Sequence, residues 1–194
     1  IDQPSCNKDY SCVEGNCPSF IKVIPSESGD KRVLPEINIK ASKIPEPKKS
    51  NAKIGNIFML GIGGTGVVTV NQIISTAAFL ENKKVVALDQ TGLSQKGGSV
   101  VSHLKILEPE NADCSSRVAN GESDAYLVFD LLTGANPKNM EKLNPKRSVS
   151  IISTSEIPTG DMVRSTKSEY PEAEHMVGLI KDFSKKNVLL NATE

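Results

Sequence analysis

The chain has 194 residues, 38% of them hydrophobic, enough for one ordinary domain with a full core plus a small appendage. Its 23 Lys and Arg balance its 23 Asp and Glu, so no electrostatic case arises for nucleic acid or an anionic membrane surface as a partner. No apolar run is long enough to span a bilayer and Ile1–Tyr10 carries no signal-peptide core, so the expected setting is the cytoplasm, away from membranes.

Residues 1–24 form a cysteine module. Cys6, Cys12 and Cys17 follow C-x5-C-x4-C-Pro. A bacterial ferredoxin half-motif runs C-x2-C-x2-C-x3-C-Pro. Against that frame Cys6 and Cys12 take the first and third ligand places, Asp9 the second, and Cys17-Pro18 the last, one residue late. Thiolates suit iron–sulfur clusters because soft anionic ligands bind soft iron. A carboxylate is a harder and more labile substitute, so the module is either a degenerate cluster site or one with a labile iron. A disulfide fits poorly with the expected compartment, and a zinc site normally takes four ligands where three thiols are present. The Cys before Pro ligates the other cluster in two-cluster ferredoxins, so Cys17 needs partners outside this chain and the module by itself is an incomplete ligand set. Cys114, in the loop 111–116, reads as an incidental thiol.

Residues 25–53 form a linker in which Pro25, Pro35, Pro45 and Pro47 stand among Lys, Ser and Glu, a composition with little apolar surface to bury. Ile37 and Ile39 could add a short edge strand. From Ile54 the pattern alternates. Strands are predicted at 56–60, 84–89, 99–106, 125–129, 148–153 and 187–191. Helices are predicted at 65–81, at 138–143 with a start nearer Leu131, and at 172–184. The expected fold class is α/β, a three-layer, doubly wound sheet, mostly parallel or mixed, with helices on both faces and a small N-terminal cysteine module. Ser99–Ile106 alternates in the β manner and is expected to be antiparallel or at an edge. The chain lacks an initiator Met and stops just past the last strand, so the body, residues 54–194, reads as a segment of a longer polypeptide.

The first strand runs into Gly61-Ile62-Gly63-Gly64-Thr65-Gly66, with Gly61, Gly63 and Gly66 at G-x-G-x-x-G spacing, then a helix, then a strand that ends at Asp89. That order is the signature of a βαβ unit whose helix N-terminus offers backbone N–H groups to an anion. Glycine permits positive φ in the turn and close approach of a ligand oxygen. Equally, such glycines can serve only to let a helix pack closely on a sheet. Asp89 stands where a dinucleotide fold places the acid that bonds a ribose hydroxyl, although a polar cap on the following loop is the favoured reading. Lys96, in Ser94-Gln95-Lys96-Gly97-Gly98, is either a point charge for a phosphate or carboxylate or a solvated loop lysine. His103 points outward if Val100, Ser102 and Leu104 face in, and reads as structural; His175 has no assigned role. No Ser-His-Asp order, H-E-x-x-H or Walker lysine is present, so acid–base machinery is not visible.

The stretch Asp89-Gln90-Thr91-Gly92-Leu93-Ser94-Gln95-Lys96-Gly97-Gly98, followed by Val100-Val101-Ser102-His103, resembles the gamma domain of 2-oxoacid:ferredoxin oxidoreductases, above all the fused bacterial indolepyruvate:ferredoxin oxidoreductases. Arg117-Val118-Ala119-Asn120-Gly121-Glu122-Ser123-Asp124, Pro158-Thr159-Gly160-Asp161 and the segment Ser5–Phe20 share the likeness, which covers most of 1–24 and 54–194. The resemblance implies an enzyme that oxidatively decarboxylates a 2-oxoacid such as indolepyruvate to an acyl-CoA and passes electrons to ferredoxin. It implies thiamine diphosphate on domains outside this chain, and a 4Fe-4S cluster held through Cys6, Asp9, Cys12 and Cys17 together with an upstream cysteine-rich stretch. It also implies CoA as co-substrate, with Gly61, Gly63, Gly64, Gly66 and Lys96 as its contacts, and a homo-oligomer assembled with the remaining domains of the parent chain. The fragment alone is expected to be inactive. An independent Rossmann-type module binding NAD or FAD through Gly61, Gly63, Gly66 and Asp89 is the alternative, and a scaffold without ligand the third.

Overall fold

The computed structural model describes residues 45–46, 52–92, 98–110, 114–159, 162 and 167–192. The chain divides into two compact units, Ile1–Asn51 and Ala52–Glu194, and all but two of the described residues belong to the second. The expected iron ligands Cys6, Asp9, Cys12 and Cys17, and Lys96 in the body, lie outside the described residues.

The elements run β1 (Ile54–Ile62), α1 (Val67–Leu80), β2 (Lys84–Thr91), β3 (Ser99–Leu107), β4 (Ala125–Val128), α2 (Leu131–Gly134), α3 (Pro137–Met140), β5 (Val149–Ser153), α4 (Ala173–Asp182) and β6 (Lys186–Leu190). The strands form one six-stranded sheet in the order β2-β3-β1-β4-β5-β6. β1, β4, β5 and β6 pair in parallel, while β3 pairs antiparallel with both β1 and β2. The sheet is therefore mixed. β3 is antiparallel, as its alternation implies, yet it lies one place in from the edge; β2 and β6 are the edge strands.

Two apolar clusters lie on opposite faces, which makes the fold three-layered. Met59, Val67, Val100 and Leu104, with Ile74, Leu127 and Phe129 around them, sit beneath α1. Phe58, Leu60, Tyr126, Val128 and Ile152 meet Leu131 of α2 and Met176, Val177 and Ile180 of α4 on the other side. The alternation Phe58, Met59, Leu60 sends successive side chains to the two faces, as a strand buried on both sides requires. Each such fully buried large side chain contributes roughly 1.5–3 kcal/mol.

α1 starts at Gly66 and stops at Asn82. Asn82 has φ 57, and the amides of Asn82 and Lys83 donate to the carbonyls of Phe79 and Ala78. That is a Schellman closure with Asn in the usual glycine place. The predicted helix around 131–143 is in fact two four-residue turns. Asn136, extended at ψ 125, precedes Pro137, which disfavours helical geometry in the residue before it, and the Asn136 side chain caps the amide of Lys138. α4 has Glu174 in its first turn and Lys181 in its last, complementing the helix dipole.

Candidate functional site

After β1 the chain crosses to the α1 face; after the adjacent parallel strand β4 it crosses to the opposite face. The C-terminal ends of β1 and β4 thus flank a topological switch point, the place where open α/β sheets hold ligands. The glycine turn Gly61–Gly66 forms one rim. Its glycines divide the work. Gly64 (φ 102) and Gly66 (φ 84) take backbone conformations that side chains resist. Gly61 is needed for room, because a Cβ there would lie 2.9 Å from both Phe129 Cβ and Val67 Cγ2 and closer still to Thr65 Oγ1. Gly63 donates its amide to Gly98 O at 2.9 Å, tying the turn to the end of the second glycine loop.

The N-terminus of α1 has no side-chain cap and no acidic residue in its first turn. Its first amides are the orphan donors every helix leaves, and the dipole adds partial positive charge. A Cβ on Gly66 would meet no described atom within 4 Å. The arrangement can accept an anionic oxygen at the helix end. The Gly61–Gly66 turn and the Gly98 end of the Lys96 loop are brought together; Lys96 itself lies outside the described residues.

Asp89 is engaged within the fold. Its Oδ1 accepts from Asn71 Nδ2 of α1 at 2.7 Å and from Ser102 Oγ of β3. Asn71 Nδ2 also reaches Ser102 Oγ at 2.9 Å, and Ser75 Oγ donates to Asn71 Oδ1. Because β3 is inserted between β1 and β2, Asp89 stands two strand spacings, about 9–10 Å, from β1 rather than one. That geometry favours the polar-clamp reading over ribose recognition.

The outward expectation for His103 does not hold. Loop 114–124 covers the face opposite α1, and His103 is 4% exposed, flanked by buried Ser102 and Leu104. Its Nδ1 accepts the Val118 amide at 3.0 Å, which places the ring proton on Nε2, 3.2 Å from Gln90 Oε1. Burial, then the positive charges of Lys142, Arg117 and Lys105, push its pKa down to about 4. Asp89 and Gln90 therefore clamp the start of the Lys96 loop from the two faces of the sheet. The same loop 114–124 is pinned through Asp124, which accepts from the Asn56 amide at 2.8 Å and from Arg147.

Asp130, on the other rim, was not singled out by the sequence. It is fully buried and its Oδ2 accepts from Thr133 N and Thr133 Oγ1 at 2.8 and 2.7 Å, while Oδ1 has no hydrogen-bond partner. The visible signal was Asp-Leu-Leu-Thr directly after a strand, the spacing of an N-cap. Burial of the Tyr170 hydroxyl, with Asp130 and Glu156 adding negative charge against the opposing effect of a backbone hydrogen bond at Ile157, raises its pKa to about 12.

Among the described residues no group of three His, Cys, Asp or Glu side chains could hold a metal ion, and no helix is long and apolar enough to cross a membrane. Cys114 is a half-buried free thiol. His175 is exposed on α4.

The chain is 32% identical over 143 residues to the indolepyruvate oxidoreductase subunit IorB of Methanothermobacter thermautotrophicus, covering 71% of this chain and 69% of that protein. It is 27% identical over 139 residues to the IorB of Archaeoglobus fulgidus, covering 72% of this chain and 65% of that one. Among solved structures it is similar to the pyruvate oxidoreductase subunit PORC of Thermotoga maritima (TM-score 0.48, 16% identity, 73% of this chain and 64% of that one). It is also similar to the 2-oxoglutarate:ferredoxin oxidoreductase of Magnetococcus marinus (TM-score 0.40, 21% identity, 63% of this chain and 19% of that one). Residues 56–187, which take in the glycine turn and both clamps on the second loop, match the family of pyruvate ferredoxin/flavodoxin oxidoreductases, and the chain belongs to that family.

Proposed function

We propose that the chain is the gamma-type part of a thiamine-diphosphate- and iron–sulfur-dependent 2-oxoacid:ferredoxin oxidoreductase of the indolepyruvate type. The observation that carries this reading is the 32% identity to an indolepyruvate oxidoreductase subunit over most of the body. In that enzyme the thiamine cofactor, on other domains, supplies the carbanion chemistry. The α/β body offers no acid–base pair for bond breaking among its described residues and is read as a supporting module that faces CoA. The uncapped amides at the start of α1, with Lys96 on the loop tied to Gly63, are the proposed contacts for a CoA phosphate. Cys6, Cys12 and Cys17, with Asp9 in the remaining place, are proposed as part of a 4Fe-4S ligand set completed by protein outside this chain. The soft thiolates of Cys6 and Cys12 suit iron, with Asp9 a harder and more labile substitute for a third, while Cys17 fits the neighbouring cluster of a two-cluster arrangement. Ferredoxin, the 2-oxoacid and the parent enzyme's other domains are the proposed partners.

The reading is tested on the complete parent polypeptide, expressed without oxygen. Iron and sulfide at near-integral cluster stoichiometry, and dye reduction that depends on indolepyruvate and CoA, are expected. An iron-free protein, or one silent toward every 2-oxoacid, refutes it. A dinucleotide-binding module is the competing reading, and the engagement of Asp89 by Asn71 and Ser102 weighs against it.

A further inference from the structure

Lys105 is only 8% exposed, yet among the described residues its ammonium has no hydrogen-bond or ion-pair partner. A lysine buried to that degree is almost always paired, because an isolated ammonium gives up its hydration without compensation. Alternation along β3 places Lys105 on the same face as His103, beneath loop 114–124. Arg117 directly precedes Val118, whose amide is held on His103 Nδ1, and the Arg117 guanidinium likewise has no partner among the described residues. Lys142 is tied to the same loop: its Nζ donates to Asn120 Oδ1, and its carbonyl accepts the Ser123 amide. After burial, the charges of these three side chains account for the lowered pKa of His103, and no carboxylate opposes them there. The carboxylates of this region are engaged elsewhere. Asp124 holds Arg147, Glu141 accepts from Asn120 Nδ2, and Glu108 pairs with Lys83.

We propose that Lys105, Arg117 and Lys142 form a binding site for a phosphate group on the face of the sheet opposite α1, with Lys105 as its buried anchor. Three positive charges without an opposing carboxylate match a dianion better than a single carboxylate. Arg117 brings a planar fork of donors suited to two phosphate oxygens, and Lys105 a compact charge. Lys142 adds its charge while staying bonded to Asn120. Partly buried charges are screened by salt much less than exposed ones, so the anchor keeps its pull at ordinary ionic strength. The site is separate from the glycine turn. Lys105 pairs with Asn56 near the start of β1, whereas Val100 pairs with Gly61. The two places are thus about 16 Å apart along the strands and on opposite faces. A free phosphate ion and the phosphate group of a larger ligand present the same chemistry to these side chains. None of this depends on the proposed reaction.

NMR of the 194-residue chain tests the proposal, because the Val118 amide and the His103 ring report this site and not the glycine turn. Inorganic phosphate titrated at pH 7 should shift both signals to saturation. Lys105→Met keeps the apolar stem, and Arg117→Gln changes an exposed residue. In each, the half-saturating concentration should rise about tenfold or more, with unchanged far-ultraviolet circular dichroism. If Lys105→Met does not fold, Arg117→Gln decides alone. Sulfate remains a dianion in acid, so it should raise the His103 titration midpoint from about 4 by roughly one pH unit or more, relative to chloride at equal ionic strength. Methyl phosphate separates the two sources. Binding as strong as that of phosphate marks the group of a larger ligand, and binding of phosphate alone marks the free ion; either supports the site. Shifts no larger than sodium chloride produces, variants that bind phosphate as the native chain does, or a His103 midpoint unmoved by sulfate would each overturn it.

Discussion

Acidification should destabilise this fold through one buried histidine. His103 is 4% exposed, accepts the Val118 amide on Nδ1 and holds a pKa of about 4 against an ordinary 6.5. Protonating Nδ1 would replace an accepted hydrogen bond with two opposed N–H groups, under the positive field of Lys142, Arg117 and Lys105. The neutral ring is therefore the form the native state prefers. Above pH 6.5 neither the folded nor the unfolded chain takes up the proton and the group contributes no pH dependence. Between pH 6.5 and about 4 the unfolded chain binds a proton that the folded chain refuses, so stability falls; below that range both bind it and the loss is complete. At 1.36 kcal/mol for each pH unit between the two pKa values, the loss amounts to about 3 kcal/mol. Urea unfolding at pH 7, 6, 5 and 4 of the native chain and of His103→Gln measures it. Glutamine keeps an acceptor but no titrating ring, and every carboxylate and His175 remain in both chains, so the difference between the two stability curves isolates His103. The two curves should converge as pH falls. Parallel curves, or a His103 ring titrating near 6.5 by NMR, would refute the reasoning.

Gly61→Ala forces a methyl against Phe129, Val67 and Thr65 and should destabilise by about 1–3 kcal/mol, read as a lowered urea midpoint at constant slope. Gly66→Ala meets no neighbouring atom, so its cost is conformational, about 1–2 kcal/mol for a side chain at φ 84; if the uncapped helix end binds CoA, the CoA-induced rise in melting temperature should shrink with it. A full CoA response in that variant would leave the turn a packing device. Asp89→Asn should lower stability by roughly 1–2 kcal/mol through the weakened bonds to Asn71 and Ser102, and NAD should shift the melting temperature of neither protein; an NAD-dependent shift lost on substitution would reverse that assignment.

The strand positions were legible because apolar alternation and turn residues are local signals. All six strands stand within a few residues of the expected places. The order of β3 was not legible. Alternation along Ser99–Leu107 reports that the strand has two faces, not which strands flank it, and its insertion between β1 and β2 is decided by long-range pairing. His103 misled for a related reason. With Ser102, His103, Leu104 and Lys105 all buried, polarity on one side of the strand marks hydrogen bonding to loop 114–124 rather than solvent. The break at Asn136-Pro137 was readable from proline chemistry, whereas the burial of Asp130 depends on α2 and α4 closing over the sheet, which no local pattern states.

The glycine turn shows how one motif can serve packing and ligand approach together. Gly61 is fixed by the tight passage of α1 over Phe129, which any close helix–sheet contact would demand. Gly63 gives its amide to Gly98, so that donor is not available to a phosphate. What remains is the helix end beyond Gly66, where no described side chain caps the first turn. An anion bound at that end would therefore be held by the amides and dipole of α1, not by a cradle of glycine N–H groups. Its position would then depend on the Gly63–Gly98 bond and the two clamps at Asp89 and Gln90, which together set where the Lys96 loop begins and ends beside that helix. Loosening either clamp should accordingly weaken anion binding without touching the turn, which separates a ligand site from a purely structural turn.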